Sequence, residues 1–215
     1  MALTTYAELQ ESIADWMKAA GVTGVASAND LIPDFITIAE KRIFQELKVR
    51  EMEYRSFTVT VAGTATVALP TGYIGAKFLY LDTSPVQKLD YVSGEIAADQ
   101  FTNGIANQPR AFSTEGNNWR LYPTPGAVYT IQYLIYKQPD VLSGSTSTNS
   151  IFPVYSHLYL YASLVEAFNF LEDEAQVNKY EALYKRYLKL ANDSSVDDRI
   201  SGSTLRVRSD LRSVP

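Results

Sequence analysis

The hydrophobic pattern changes its period twice along this chain, and that change constrains the fold more than any other feature. Apolar residues recur at helical spacing over residues 9–47, alternate with polar residues within 57–136, and return to helical spacing over 158–188. Spacings of three and four residues are typical of amphipathic helices, whereas alternation is typical of half-buried strands. The sequence therefore predicts an α+β fold with a β region inserted between two pairs of helices.

The first two helices have recognisable beginnings. Thr5 and Glu8 have the spacing of a capping box, and a second helix is predicted from Asn29-Asp30, with Pro33 in its first turn, to about residue 50. The apolar stripe of the second helix is Ile32, Phe35, Ile36, Ala39, Ile43 and Leu47, and its polar face carries Glu40, Lys41, Glu46 and Arg50. We expect one helical core formed by Leu9, Ile13, Trp16, Ile36, Ile43, Leu158, Val165, Leu183 and Tyr187.

The central region contains several short strand patterns. Phe57, Val59 and Val61 alternate with threonines, Gly63 follows, and the alternation resumes with Ala65, Val67 and Leu69, which predicts a β-hairpin. Further strands are predicted at residues 77–81, 110–114, 119–122 and 128–136. Short strands at regular spacing predict a small antiparallel sandwich or barrel.

Three regions follow from these patterns. Residues 1–52 and 151–192 are predicted to form a helical bundle, residues 53–150 an inserted antiparallel β-sandwich or barrel domain, and residues 193–215 an extended basic C-terminal arm. Residues 199–215 carry four Arg against Asp210, a charge of +3, which leaves −8 for residues 1–198. An acidic body thus continues into a basic arm.

Composition excludes several classes of chemistry. The chain has no Cys and one His, which excludes disulfide scaffolds, thiol nucleophiles, zinc fingers and iron–sulfur clusters. The net charge of −5 does not fit a protein that binds nucleic acid by electrostatic attraction. No run approaches the ~20 apolar residues of a membrane span, and the first residues do not resemble a signal peptide. We expect a soluble intracellular protein without membrane contact.

The candidate catalytic groups have simpler interpretations. Ser156 precedes His157 directly and is poorly placed to be its nucleophile, and no Gly-x-Ser-x-Gly motif is present. Glu172-Asp173-Glu174 stand at a break between two helices, where acids favour the dipole of the following helix. We therefore predict no catalytic residue, no metal site and no cofactor.

Tyrosine is concentrated in the C-terminal helical region. The chain has 15 Tyr, and those between residues 155 and 187 cover more than one helix face. Some should lie outside the core of the protomer and form an assembly surface. These tyrosines are Tyr155, Tyr159, Tyr161, Tyr180, Tyr184 and Tyr187.

The arm contains one strand-like segment. Thr204-Leu205-Arg206-Val207-Arg208 alternates apolar with basic residues. Such a segment can add to the sheet edge of another chain through backbone hydrogen bonds. A frayed terminus is the alternative, and the sequence leaves both open.

Several short motifs occur in a fixed order along nearly the whole chain. They are Thr5-Tyr6-Ala7-Glu8-Leu9, residues 30–43, Leu69-Pro70-Thr71-Gly72-Tyr73, Pro109-Arg110-Ala111-Phe112, Leu121-Tyr122-Pro123-Thr124-Pro125 and residues 155–173. In this order and spacing they resemble the head-to-tail adaptor (connector) proteins of short-tailed and related tailed phages, which are similar to tail tubular ring proteins.

The resemblance implies a virion structural protein without enzymatic activity, assembled in the host cytoplasm. It implies a twelve-fold ring of identical copies that binds the portal protein, offers a platform to tail or nozzle proteins, and surrounds genomic DNA without binding it specifically. It also implies that the arm docks on the portal, and the residues expected to do so are Arg199, Leu205, Arg206, Val207, Arg208 and Arg212.

Two other functions stay open from the sequence. One is a different tail-completion or stopper protein of a tailed phage. The other, from a different class, is a virion-associated glycan hydrolase with Glu172 or Glu174 as its acid.

Overall fold

The computed structural model describes residues 3–20, 30–101 and 105–200. Within them the chain divides into a helical unit, drawn from Met1–Arg50, Leu142–Thr148 and Phe152–Pro215, and a β unit, drawn from Glu51–Val141 and Asn149–Ile151. The described residues form five helices and seven strands, which confirms the α+β class. The helices are α1 (Tyr6–Ala19), α2 (Ile32–Glu46), α3 (Gly94–Gln100), α4 (Phe152–Phe170) and α5 (Glu174–Ile200). The strands are β1 (Glu53–Val59), β2 (Thr66–Ala68), β3 (Tyr73–Leu81), β4 (Gln87–Tyr91), β5 (Ala111–Glu115), β6 (Asn118–Tyr122) and β7 (Thr130–Lys137).

Helix α1 begins with the predicted capping box. The backbone N–H of Glu8 donates to the Thr5 hydroxyl at 3.3 Å, and the Glu8 carboxylate accepts the Thr5 N–H at 3.0 Å. The buried side of the helix is Leu9, Ile13 and Met17. The expectation that Trp16 belongs to the core is wrong, because Trp16 lies beside this stripe and remains 38% exposed.

Helix α2 has the predicted apolar stripe but differs in its end and in one polar residue. It ends at Glu46 rather than near residue 50, and a 3-10 turn (Arg50–Met52) follows, so Glu46 and Arg50 do not share a helix. Glu40, predicted on the solvent face, is only 1% exposed. Its carboxylate accepts the backbone N–H of Leu142 at 3.0 Å, because the Leu142–Thr148 segment covers this side of the helix.

Helix α4 contacts α1, α2 and α5. Residues 158–160 and 162–165 are buried, so the middle of this helix is covered on most of its circumference and the helix has little amphipathic character. The helix is irregular at Tyr155, whose φ of −117° and ψ of 28° are not helical.

Helix α5 continues to Ile200, so the prediction that the helical region ends near residue 192 is wrong. Ala191 and Ser195, four residues apart, are both buried and extend the packed side of the helix. Residues 193–200 therefore do not belong to an extended arm, and residues 201–215 lie outside the described residues.

The β unit contains a single curled sheet of half-barrel form, so of the two predicted forms it is closer to the barrel than to the sandwich of two sheets. Its strand order is β1-β7-β3-β4-β5-β6-β2. All neighbours are antiparallel except β4 and β5, which run parallel. Its core contains Leu79, Leu81, Leu89, Trp119, Leu121, Ile131 and Ile135.

The predicted hairpin of residues 57–69 does not form. β1 pairs with β7, β2 pairs with β6, and the two strands stand at opposite edges of the sheet. The apolar side of β1 also faces away from the core, since Phe57 and Val61 are each 62% exposed. The alternating pattern correctly predicted two strands here. Each of them, however, pairs with a strand that is distant in sequence, β7 for β1 and β6 for β2.

Candidate assembly surfaces

His157 packs against an aromatic ring. Its imidazole meets the Tyr187 ring edge-on, with 4.7 Å between the ring centroids. Burial lowers the pKa of His157, so the imidazole is neutral at pH 7. His157 therefore packs against α5 within the helical unit.

The carboxylates of residues 172–174 lie at the turn between α4 and α5. The Asp173 carboxylate accepts the backbone N–H of Gln176 at 3.1 Å and so caps α5, while Glu174 is in the first turn of that helix. Glu172 adopts a left-handed conformation with φ of 57° that lets the chain reverse. The three residues thus end one helix and begin the next, which explains their position without a catalytic role.

The described part of the chain contains no cluster of three His, Asp or Glu residues arranged to hold a metal ion. Among the same residues, no helix combines the length and the apolar character needed to cross a membrane.

Five rings from three helices form a continuous surface on the helical unit. We call it the aromatic strip, and it consists of Trp16 from α1, His157 and Tyr161 from α4, and Tyr180 and Tyr187 from α5. The Trp16 ring centroid lies 6.1 Å from that of Tyr161 and 5.9 Å from that of Tyr180. Tyr161 stacks on Tyr187 at 5.6 Å, so the rings follow one another without interruption.

Most of the aromatic strip is neither core nor freely hydrated. Tyr180 is buried, whereas His157, Tyr161 and Tyr187 are half-buried and Trp16 is exposed. Burial also raises the pKa of Tyr161, which keeps its hydroxyl protonated. An uncharged and partly exposed aromatic surface is typical of protein interfaces. The sequence identified the tyrosines as candidates for this surface. It missed Trp16, because the helical spacing of Trp16 predicted a core residue.

A charged cluster joins α2 to α5 beside this surface and was not predicted. Arg42 donates two hydrogen bonds to Glu181, at 2.8 and 2.7 Å, and its guanidinium lies 4.4 Å from the centre of the Tyr184 ring. Tyr184 donates to Glu46 at 2.7 Å. The hydrogen bonds from Arg42 lower the pKa of Glu181, and burial raises that of Tyr184. The partners are 139 residues apart in sequence, so no local pattern reveals this cluster.

A concave site of about 380 Å³ opens on the β unit beside α3. The Glu115 carboxylate there accepts hydrogen bonds from Tyr122 at 2.8 Å, Ser113 at 3.1 Å and Arg120 at 3.2 Å. These bonds lower the pKa of Glu115. Phe101 stacks on Tyr122 with 5.8 Å between centroids. The polar groups bind one another, which is typical of a structural network.

The two edges of the sheet form the second candidate surface. Phe57, Val59 and Val61 expose 62%, 52% and 62% of their area along β1 and just beyond it. At the opposite edge, Thr66 and Ala68 of β2 are exposed while Val67 enters the core. Exposed and uncharged strands at a sheet edge are a common site of association between chains.

Most of the residues predicted for portal docking lie outside the described residues. Arg199 lies in the final turn of α5, so the backbone there is helical rather than extended. Leu205, Arg206, Val207, Arg208 and Arg212 lie outside the described residues.

Comparison with models of protein families assigns the chain to a family. No curated protein sequence matches the chain. The family model described as SU10 adaptor protein matches residues 4–208, which include both helical segments and the whole β unit. This match also confirms the resemblance found in the short motifs. The chain therefore belongs to the SU10 adaptor protein family, a family of phage head-to-tail adaptors.

Proposed function

We propose that this protein forms a ring of identical copies that binds the portal and provides the attachment platform for the tail. The observation that carries the proposal is the presence of several unlike surfaces suited to protein contact: the partly exposed aromatic strip and the two different edges of the sheet. A ring is built from heterologous contacts, in which each copy uses two different patches to meet its two neighbours. Family membership supports a structural role in the virion and suggests a non-enzymatic one.

The remaining parts of the chain receive roles in the same proposal. The helical unit and the β unit act as the two domains of each ring subunit, and the basic segment after Ile200 docks on the portal. The charge of −8 on residues 1–198 disfavours adhesion to phosphate groups, so DNA passes through the ring without being held. The ring is assembled in the host cytoplasm from twelve copies.

Electron microscopy of reconstituted complexes tests this proposal. The chain is imaged alone and after mixing with the portal protein from the same phage genome. We expect a ring of symmetry-related copies in direct contact with the portal. A ring separated from the portal by another protein would instead establish a stopper or tail-completion role. Monomers that never associate with portal or tail proteins would contradict an adaptor role.

A further inference from the structure

In the sheet that the described residues form, one uncharged segment supplies most of each edge strand, although β1 begins with the charged Glu53 and Arg55. Residues 56–76 contain no Asp, Glu, Lys, Arg or His, although 20% of the whole chain is charged. This segment supplies most of β1, all of β2 and the connection between them. Edge strands of soluble proteins ordinarily carry charges, prolines or bulges that prevent pairing with another chain. The two strands at the edges of this sheet carry none of these protections from Ser56 to Val59 and from Thr66 to Ala68.

The backbone of each edge is oriented for further pairing. The N–H of Thr60 donates to the carbonyl of Tyr129, so even-numbered residues of β1 bond to the β7 side. Because the direction alternates along a strand, Phe57 and Val59 direct their N–H and C=O groups toward the open edge. On β2, the carbonyl of Ala65 accepts the N–H of Leu121. Thr66 and Ala68 therefore direct their backbone groups outward in the same way.

We propose that the β1 edge of one copy pairs with the β2 edge of the next copy, so that the sheets continue around the ring. This inference rests on the proposed ring and specifies one of its contacts. In a linear strand order the two edges are different surfaces, which is the requirement for a heterologous contact that closes. Pairing of β1 with β1 would be two-fold symmetric and would leave each β2 edge open.

Charge favours a second copy as the occupant of these edges. Two copies of a body with a charge of −8 repel each other, and the uncharged edges are where their backbones can approach without adding like charges. The side chains are also complementary, because the large Phe57 and Val59 would lie beside the small Thr66 and Ala68 on the same side of the continued sheet.

The size of the contact predicts when it forms. Stable interfaces bury ~800 Å² on each partner, and three strand residues on β2 with a few apolar side chains on β1 provide less than this. The edges should therefore pair only where other contacts hold the copies together, as on the portal. A monomeric free protein agrees with this proposal.

Introduced cysteines test the contact without background, because the chain has no Cys. We would assemble V59C, A68C and the V59C/A68C double variant with the portal protein and treat each with a bismaleimide crosslinker. We expect the double variant to give a ladder of covalent multimers and each single variant to stay monomeric. T66C replaces A68C in the double variant if A68C does not fold, since Thr66 is also exposed on β2.

A lysine variant gives an independent measurement. V59K places a charge at the β1 edge and should strongly reduce ring formation. V86K, at a valine that is even more exposed and directly precedes the central strand β4, should leave ring formation unchanged. Intact rings with neither a ladder nor sensitivity to V59K would overturn the edge contact alone. Dimers from V59C by itself would also overturn it, in favour of β1–β1 pairing. Failure of the unmodified chain to form any ring on the portal would overturn the proposed function, and the edge contact with it.

Discussion

Glu40 brings a carboxyl group into the interior of the helical unit, where only one of its oxygens accepts a hydrogen bond. Its Oε1 accepts the N–H of Leu142, and its Oε2 has no hydrogen-bond partner among the described residues. Burial raises the pKa of Glu40 to about 7, and the Leu142 bond offsets part of that effect. Burial, and then the negative charges of Glu40 and Asp34, raise the pKa of the nearby Tyr6 hydroxyl.

The Glu40 carboxyl should make the protein less stable as the pH rises. The unfolded chain releases this proton near pH 4.5 and the folded chain near pH 7, so the free energy of unfolding falls across that interval. The loss is at most about 3 kcal/mol. We expect E40Q to flatten this slope in urea melts between pH 4.5 and 8. The exposed Glu11 provides the control, since E11Q should keep the wild-type slope. Equal slopes for wild type and E40Q would contradict the assignment.

The two tryptophans should differ in what they contribute to stability. Trp119 is fully buried in the sheet core, so W119A should lower the free energy of unfolding by ~3 to 5 kcal/mol. Trp16 is 38% exposed and packs on two tyrosines, so W16A should lower it by only about 1 to 2 kcal/mol. W16A should nevertheless impair assembly on the portal. Equal losses in denaturant melts would show that Trp16 belongs to the core after all.

At the level of elements, residues 191–195 of α5 pack against the rest of the helical unit. The Asn192 side chain accepts the N–H of Lys48 at 2.8 Å and donates to the carbonyl of Glu46 at 3.2 Å, which caps the end of α2. Ser195, one turn later, is buried. These contacts require that the helix continue beyond residue 192.

Two truncated chains test the contribution of this helix end. A chain ending at residue 192 should lose about 1 to 3 kcal/mol, because Asn192 then lies at a fraying terminus. A chain ending at residue 200 should keep the stability of the full chain. Denaturant melts of both proteins provide the measurement. Equal stability of the two truncated chains would show that residues 193–200 add nothing to the unit.

The sequence predicted elements better than it predicted their partners. Local spacing is sufficient for the capping box at Thr5 and for the alternation of Ile131, Tyr133 and Ile135, which all enter the core. It could not show that β1 pairs with β7, because that choice depends on residues about 75 positions away. The burial of Glu40 was missed for the same reason, since the covering segment begins at Leu142.

The candidate surfaces were only partly predictable for a related reason. An abundance of tyrosine near α4 and α5 indicates an interface, but the rings that share a surface depend on how three helices pack. Likewise, Phe57 and Val59 look like core residues in the sequence, and only the strand order shows that they face away from the core. A surface made of apolar residues resembles a core until its neighbours are known.

For the whole molecule, the basic segment after Ile200 should govern attachment to the portal. Deleting residues 201–215 should leave the melting temperature unchanged and prevent stable portal binding, because the acidic body then loses the Arg-rich segment. R206E together with R208E should weaken binding to the portal and reduce the dependence of binding on salt. The control S203E/S209E adds negative charge without removing arginine and should have a smaller effect. Binding assays at several salt concentrations measure both. Normal attachment of the truncated chain would place the docking surface on the helices.

The order of elements also determines when each unit can fold during synthesis. Helices α1 and α2 are made first, but α4, which both of them contact, follows only after more than a hundred further residues. β1 likewise waits for β7, the last strand to be made. Contacts that join distant parts of a chain form slowly, and domains fold only when their segments are available. The helical unit therefore cannot be completed on the ribosome until the whole β unit has emerged, and the first two helices spend most of translation without α4, the apolar partner that stabilises them.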